Sequence, residues 1–220
     1  SPVLFWKPEV MICVPAGCTQ VERRAVLDAA LSAGARVAYL IDEPLAAALG
    51  AKIPISAPSG HMIVDSGGGA TEAAIISLGG VVVHKSVRVA GNKIDEAIQN
   101  YLRRRYNLLI GDQTAEEIKI KLGGALVPPK DERIEVSGRD QVLGLPRSAT
   151  VTGIEIYEAI KPILGQIVGA IKEVLEEIPP ELASDIIDKG IVMSGGTSLL
   201  RGLDRFVASE VGVPVYIAED

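Results

Sequence analysis

The chain has 220 residues, 48% of them hydrophobic and 23% charged, a composition too apolar for a disordered protein. The net charge of −6 argues against a general nucleic-acid-binding surface, so no nucleic-acid partner is expected. Two cysteines, Cys13 and Cys18, are too few for a disulfide framework or a complete zinc site, and they fit a reducing cytosol. No apolar run is long enough to span a bilayer.

The first sixty residues predict strands and helices in alternation. Residues 10–14 are an apolar run that predicts a buried strand. Thr19, with Glu22 three positions later, is a capping box and predicts the start of a helix. Residues 37–41 predict the next strand and residues 45–49 a short helix. This order indicates an α/β unit with a parallel pair of strands.

After a Pro- and Ser-rich linker at residues 52–60, the pattern changes to strands joined by glycine turns. The predicted elements are three antiparallel strands at 62–64, 73–78 and 81–89, helices at 94–102 and 115–122, a β-like patch at 126–150, a long helix at 152–178 kinked by Pro162, a strand at 190–193, a helix at 198–211 and a strand at 213–217. Pro179 and Pro180 are expected to stop the long helix.

The first chemical candidate is the glycine-rich turn at residues 64–72. Gly67, Gly68 and Gly69 follow a strand and lack Cβ atoms, so their backbone amides can close on an anion such as phosphate. Asp65 lies at the strand end, where a carboxylate can hold a Mg²⁺-bound water beside that phosphate. A plain glycine hairpin between two strands accounts for the same residues.

The second candidate is Gly195-Gly196-Thr197-Ser198. A strand runs into the glycine pair and then into a predicted helix, whose free N-terminal amides and dipole can face a nucleotide. The segment is neither a Walker A loop nor a G-x-G-x-x-G fingerprint. An ordinary tight turn between a strand and a helix is an equally good interpretation.

With both turns, the sequence resembles the MreB family of bacterial actin homologues, in the superfamily of actin, heat-shock chaperones and sugar kinases. The matching segments follow the family's order from end to end and lie at residues 14–17, 21–25, 40–48, 64–72, 106–111, 114–119, 179–182 and 194–204. The resemblance implies a partial α/β fold of the actin-like, ribonuclease H-like ATPase type. It implies three parts: residues 1–59 as the remnant of the first domain, residues 60–90 and 150–220 as the core of the second, and residues 91–149 as a small inserted subdomain.

The resemblance also implies roles for individual residues. It gives two single carboxylates catalytic roles: Asp65 faces Mg²⁺, and Glu43 orients the attacking water. The second phosphate loop consists of Gly67, Gly68, Gly69 and Ala70. Adenosine is bordered by a helix with Glu116, Glu117, Ile118 and Lys119 and by a loop with Gly195, Gly196, Thr197 and Ser198. Without the family, Glu43 is simply a carboxylate before a proline at a strand end. The charged residues at 116–119 are then a solvated helix face.

The sequence departs from the family's pattern at three places. The opening Asp-x-Gly-Thr/Ser phosphate loop and the last helix are absent, so we expect a fragment that lacks half of the nucleotide cleft. Ala70 stands where the family usually has Thr, whose hydroxyl helps to place the water or the phosphate, and Thr71 should point to the other side of its strand. Ser66 replaces an apolar residue. We therefore expect nucleotide binding with at most weak ATPase activity in the complete protein.

Three other features have more than one interpretation. Leu4, Phe5 and Trp6 match a family loop that enters the membrane, and an aromatic side chain beside a lysine suits the lipid interface. Burial against the rest of the first domain is the alternative for this triplet. The arginine run at 103–105 is more often a solvated helix end than a site for nucleic acid or anionic lipid. The two histidines have no partners at ligand spacing, so no metal site beyond the Mg²⁺ facing Asp65 is predicted.

The resemblance implies an ATP-binding, filament-forming cytoskeletal protein with Mg²⁺ as its second cofactor. It implies a cytoplasmic protein, peripheral at the inner face of the bacterial plasma membrane. Its expected partners are further copies of itself in protofilaments, the membrane surface and the membrane proteins of cell-wall elongation, through which it sets rod shape. A kinase-type or chaperone-type ATPase of the same superfamily is the alternative, although neither a substrate base nor an acceptor pocket is apparent, and a chaperone needs a further domain after residue 220.

Overall fold

The computed structural model describes residues 7–218, which form three β-sheets with helices packed against them. In chain order the elements are β1 (Glu9–Val14), α1 (Gln20–Ser32), β2 (Val37–Asp42), α2 (Glu43–Gly50), β3 (His61–Ser66), β4 (Thr71–Ser77), β5 (Gly80–Val87), α3 (Gly91–Tyr106), β6 (Leu108–Leu109), α4 (Asp112–Leu122), β7 (Arg133–Asp140), β8 (Pro146–Thr152), α5 (Gly153–Glu176), α6 (Pro180–Lys189), β9 (Ile191–Ser194), α7 (Leu203–Val211) and β10 (Val215–Ile217). The predicted α/β class is confirmed.

The first sheet is the parallel pair β1 and β2, as predicted. The capping box begins α1: the Glu22 amide donates to Thr19 Oγ1 at 3.2 Å, and the Thr19 amide donates to Glu22 Oε2 at 2.8 Å. The prediction of a buried strand at 10–14 was wrong, because only Val14 of β1 is buried and Cys13 is exposed. β1 has only β2 beside it in the described part of the chain, which leaves much of the strand open to solvent.

The second sheet is mixed and has five strands in the order β10-β9-β3-β4-β5. The consecutive strands β3, β4 and β5 are antiparallel, as predicted from the glycine turns between them. β9 pairs in parallel with β3, and β10 pairs in parallel with β9. The C-terminal strands therefore extend a sheet that begins more than a hundred residues earlier.

Helices cover both faces of the five-stranded sheet. On one face, Ala48 of α2 packs against Ala74 and Ile76 of β4, and all three side chains are fully buried. On the other face, Ala73 and Ile75 of β4 belong to a large core built with α3, α5 and α7. Alternate residues of a strand point to opposite faces. The even-numbered residues of β4 therefore face α2, and the odd-numbered residues face α5.

The third sheet, β6-β7-β8, lies in the segment between β5 and α5 and is antiparallel. α3 and α4 belong to the same segment. Ile94, Ile98 and Leu102 of α3 are fully buried, which confirms the apolar face predicted from their spacing. α5 remains helical on both sides of Pro162.

The long helix stops before the two prolines, as predicted, since α5 ends at Glu176. The sequence pattern did not predict α6, which begins at Pro180, because a proline in the first turn of a helix lacks only an amide that the helix leaves free. One C-terminal prediction was wrong. The helix predicted at 198–211 begins at Leu203 instead. Before it, residues Gly196–Leu199 form a 3-10 turn, and Gly202 has a positive φ of 73°.

The three sheets fall in residues 9–42, in 61–87 with 191–217, and in 108–152. These segments follow the expected division at 1–59, 60–90 with 150–220, and 91–149, which stays a prediction about domains. None of the helices within residues 7–218 combines the length and apolar composition needed to cross a membrane.

Candidate functional site

A cavity of about 440 Å³ lies where the two glycine turns meet α3 and α4. It is lined by Gly67, Gly68, Gly91, Asn92, Ile94, Glu116, Lys119, Ile120, Gly123, Gly196, Thr197, Leu199, Leu200 and Arg201. Its volume lies in the range typical of small-molecule and cofactor sites, roughly 300–1,000 Å³. Residues predicted for the nucleotide from three separate segments thus share one wall: Gly67, Gly68, Glu116, Lys119, Gly196 and Thr197.

The first glycine turn is held in place by hydrogen bonds that its carbonyl oxygens accept. Gly67 O accepts a hydrogen bond from Thr197 Oγ1 at 2.7 Å and another from the Gly91 amide at 3.2 Å. Gly68 O accepts from the Asn92 amide at 2.8 Å. Within residues 7–218, the amides of Gly68 and Gly69 donate no hydrogen bond. The turn is therefore fixed through its acceptors, and its donors stay available for an anion.

The second glycine turn divides into structural and cavity-lining residues. Gly195 has a φ of 83°, and a Cβ atom built on it would overlap the Ser66 carbonyl oxygen. Ser198 is buried, and its Oγ donates to Gly195 O at 2.6 Å. Gly196 and Thr197 reach the cavity, whereas Gly195 and Ser198 shape the turn behind it.

Asp65 lies at the end of β3, beside the first turn but outside the cavity wall. Ser194 Oγ donates to Asp65 Oδ1 at 2.9 Å across the β3–β9 pair. Within residues 7–218, no cluster of three or more His, Cys, Asp or Glu side chains could hold a metal ion. A lone carboxylate fits Mg²⁺ only when water and ligand phosphates supply the remaining oxygens, as that ion prefers.

α4 presents only one of its faces to the cavity. Glu116, Lys119 and Ile120 line it, whereas Ile118 is buried in the core, and Glu117 pairs with Lys121 on the solvent side. Lys119 Nζ donates to Asp95 Oδ2 at 2.9 Å. Burial raises the pKa of Asp95, and this ion pair with Lys119 opposes the rise.

Several predicted residues lie apart from the cavity. Glu43 is the first residue of α2, while Gly69 and Ala70 belong to the first turn but not to the wall. Leu4, Phe5 and Trp6 lie outside the described residues.

Sequence reasoning missed the rest of the cavity wall, the residues Gly91, Asn92, Ile94, Ile120, Gly123, Leu199, Leu200 and Arg201. Arg201 forms a bidentate ion pair with Glu132 and so connects the second turn to the β6-β7-β8 region. The one sequence signal for these residues was the presence of apolar side chains on polar helix faces. Ile120 and Leu199 are 74% and 73% exposed at the cavity.

A mixed sheet covered on both faces, with two glycine turns meeting at the ends of β3 and β9, defines an actin-like fold. The chain belongs to the MreB/Mbl family, because residues 2–220 match the family model described as MreB/Mbl protein. The resemblance seen in the sequence is confirmed.

Individual relatives support this assignment. The chain is 53% identical over 213 residues to the cell shape-determining protein MreB of Escherichia coli K12, covering 97% of this chain and 61% of that protein. It is 48% identical over 217 residues to the cell shape-determining protein Mbl of Bacillus subtilis 168, covering 99% and 65% respectively. The chain thus spans less than two thirds of the length of these relatives.

Solved structures agree with the sequence comparison. Crystal structures of MreB5 of Spiroplasma citri, bound to AMPPNP and to ADP, have TM-scores of 0.91 and 0.92 at 40% identity. They cover 97% and 96% of this chain, which in turn covers 64% of each. The MamK double helical filament has the same fold, with 24% identity and a TM-score of 0.78. The matched region covers 97% of this chain and 65% of the MamK chain.

Proposed function

We propose that this chain contributes part of the nucleotide site of an ATP-dependent, filament-forming actin homologue that determines cell shape. The cavity carries the proposal. Its wall combines the free amide of Gly68 with the apolar side chains of Ile120 and Leu199 and the carboxylate of Glu116, a combination that suits a nucleotide. The bound AMPPNP and ADP of the MreB5 structures support a nucleotide as the ligand.

The apolar and acidic parts of the cavity wall suit adenosine. Ile120 and Leu199 offer apolar surface to a planar base, and Glu116 can accept hydrogen bonds from ribose hydroxyls. The free amide of Gly68 in the wall, and that of Gly69 next to it in the turn, can donate to phosphate oxygens.

Mg²⁺ and the attacking water would lie near the strand ends. Ser194 occupies one oxygen of Asp65, so the carboxylate has a fixed orientation from which it can accept from a metal-bound water. When bound, Mg²⁺ would neutralise charge on the phosphates. Glu43 is proposed to orient the water for hydrolysis, and the lack of a hydroxyl at position 70 makes the expected ATPase weak.

The nucleotide proposal is tested by replacing an apolar residue of the cavity wall with a charged one. Ile120→Asp in the complete protein should weaken Mg-ATP binding about tenfold or more, because burial of such a side chain contributes roughly 1.5–3 kcal/mol and the new carboxylate repels phosphates. Isothermal titration calorimetry measures the affinity. Ile187→Asp is the matched control, since Ile187 is also exposed but lies on α6, outside the cavity wall. Equal affinities in both variants would place the nucleotide elsewhere.

Filament formation separates the cytoskeletal proposal from a chaperone-type or kinase-type ATPase. The complete protein should pellet in a concentration-dependent manner with ATP, whereas the alternatives remain unassembled. The cell shape-determining relatives support a cytoskeletal role. We extend the proposal, on the family resemblance, to a role in rod shape through membrane proteins of cell-wall elongation. Persistent monomers would contradict it.

Membrane association at the inner face of the plasma membrane is proposed for the triplet Leu4, Phe5 and Trp6. Replacing all three with Ser in the complete protein should strongly reduce co-sedimentation with liposomes while polymerisation continues, since each inserted side chain contributes roughly 1.5–3 kcal/mol. The control changes three exposed apolar residues of the β7–β8 turn, Val142, Leu143 and Leu145, to Ser. Loss of folding in the triplet variant would instead identify a core segment.

A further inference from the structure

Glu72 is a buried carboxylate for which the site described above provides no role. It lies on β4, directly after the first glycine turn, and the residue is only 4% exposed. Its Oε2 atom is buried and has no hydrogen-bond partner within residues 7–218. Because an unpaired polar oxygen is destabilising when it is buried, such an atom requires a reason.

The position of Glu72 follows from the alternation of β4. Glu72 shares a sheet face with Ala74 and Ile76, and α2 packs on that face. Glu43, the candidate for orienting the attacking water, is the first residue of α2. Glu72 also pairs across the sheet with Asp65, the candidate metal-facing carboxylate. Glu72 is therefore the cross-strand neighbour of Asp65, and it lies on the sheet face that is covered by α2, the helix that begins at Glu43.

The electrostatics agree with this placement. Burial raises the pKa of Glu72, and the negative charge of Glu43 raises it further. The Ser86 hydroxyl, the Ala16 amide and His84 face the carboxyl group and act in the opposite direction. Glu43 acts on Glu72 through its charge, and no hydrogen bond joins the two carboxyl groups in the described part of the chain.

We infer that Glu72 is a positioning residue for nucleotide hydrolysis: its Oε2 accepts a hydrogen bond from an ordered water that it shares with Glu43. A bridging water satisfies the buried oxygen at little free-energy cost. It also fixes the Glu43 side chain in the orientation needed to align the attacking water. The inference rests on the proposed ATPase function.

The test compares the rate of phosphate release with stability. A positioning role for Glu72 predicts that its substitution lowers the rate, whereas a purely structural role predicts that its substitution lowers stability. In the complete protein, Glu72→Leu should slow single-turnover phosphate release on the order of a hundredfold and change ATP affinity less than about twofold. Its thermal midpoint should change little, since loss of the unpaired buried Oε2 offsets loss of the acceptor for the Ser86 hydroxyl and the Ala16 amide. Glu72→Gln keeps an acceptor oxygen of the same shape and should recover most of the rate.

Glu155→Gln is the matched control. Glu155 accepts hydrogen bonds from Tyr101, Tyr106 and Thr152, so this variant should lose stability and keep its rate. A Glu72→Leu variant that loses stability and keeps its rate would overturn the inference, as would a Glu72→Gln variant as slow as Glu72→Leu. If the unsubstituted protein releases no phosphate, the proposed ATPase itself is wrong and the inference fails with it.

Discussion

Replacing Ala70 with Thr is expected to accelerate ATP hydrolysis by the complete protein on the order of a hundredfold. A positioned hydrogen-bonding group at the reacting centre contributes about 2.7–4 kcal/mol to catalysis. The neighbouring Thr71 cannot replace it, because Thr71 is fully buried and its Oγ1 donates to Val89 O at 2.7 Å and contacts Ser66 Oγ at 2.7 Å. Single-turnover phosphate release is the measurement.

Nucleotide affinity should hardly change in the Ala70→Thr variant, since the amides of Gly68 and Gly69 do not depend on that side chain. Glu43→Ala serves as the second variant, made in both backgrounds. It should slow both proteins if Glu43 orients the water. Equal rates for the unsubstituted protein and the Ala70→Thr variant would show that the difference from the family is neutral.

Replacing Gly195 with Ala is expected to lower the free energy of unfolding by at least about 2 kcal/mol. The backbone conformation, with φ at 83°, costs a non-glycine residue roughly 1–3 kcal/mol. The new Cβ would also overlap the Ser66 carbonyl oxygen and lie 2.8 Å from Asp65 Oδ1. Because Asp65 must move, affinity for Mg-ATP should fall as well.

Substitutions at two further glycines distinguish the backbone cost of the Gly195→Ala change from its steric overlap. Gly212 has a φ of 76° with no atom within 4 Å of its Cβ position, so Gly212→Ala reports the backbone cost alone. Gly196 has neither a positive φ nor a close neighbour, so Gly196→Ala should leave stability nearly unchanged. Urea denaturation gives the three values. If Gly195→Ala and Gly212→Ala lose the same amount, the predicted overlap is relieved by small shifts.

The local pattern of the sequence determined most individual elements. The capping box at Thr19 and Glu22 fixed the start of α1, because both hydrogen bonds join residues three apart. The buried positions of α3 followed from spacing alone, since residues three and four apart share a helix face. The turns at Gly67–Gly69 and Gly195–Gly196 were likewise visible from their glycines, and at Gly195 the backbone passes so close to Ser66 that only a residue without a Cβ atom fits.

Only the tertiary structure decided which of these segments meet. The hydrogen bond from Ser194 to Asp65 joins residues 129 positions apart, and it exists because β9 pairs with β3. No local pattern encodes that pairing, or the approach of α3 and α4 that adds Asn92 and Ile120 to the cavity. The burial of Glu72 could not be predicted from the sequence for the same reason, because it depends on α2 covering one face of β4. Residue type and spacing specify elements and turns, whereas a site depends on contacts between elements that are distant in sequence.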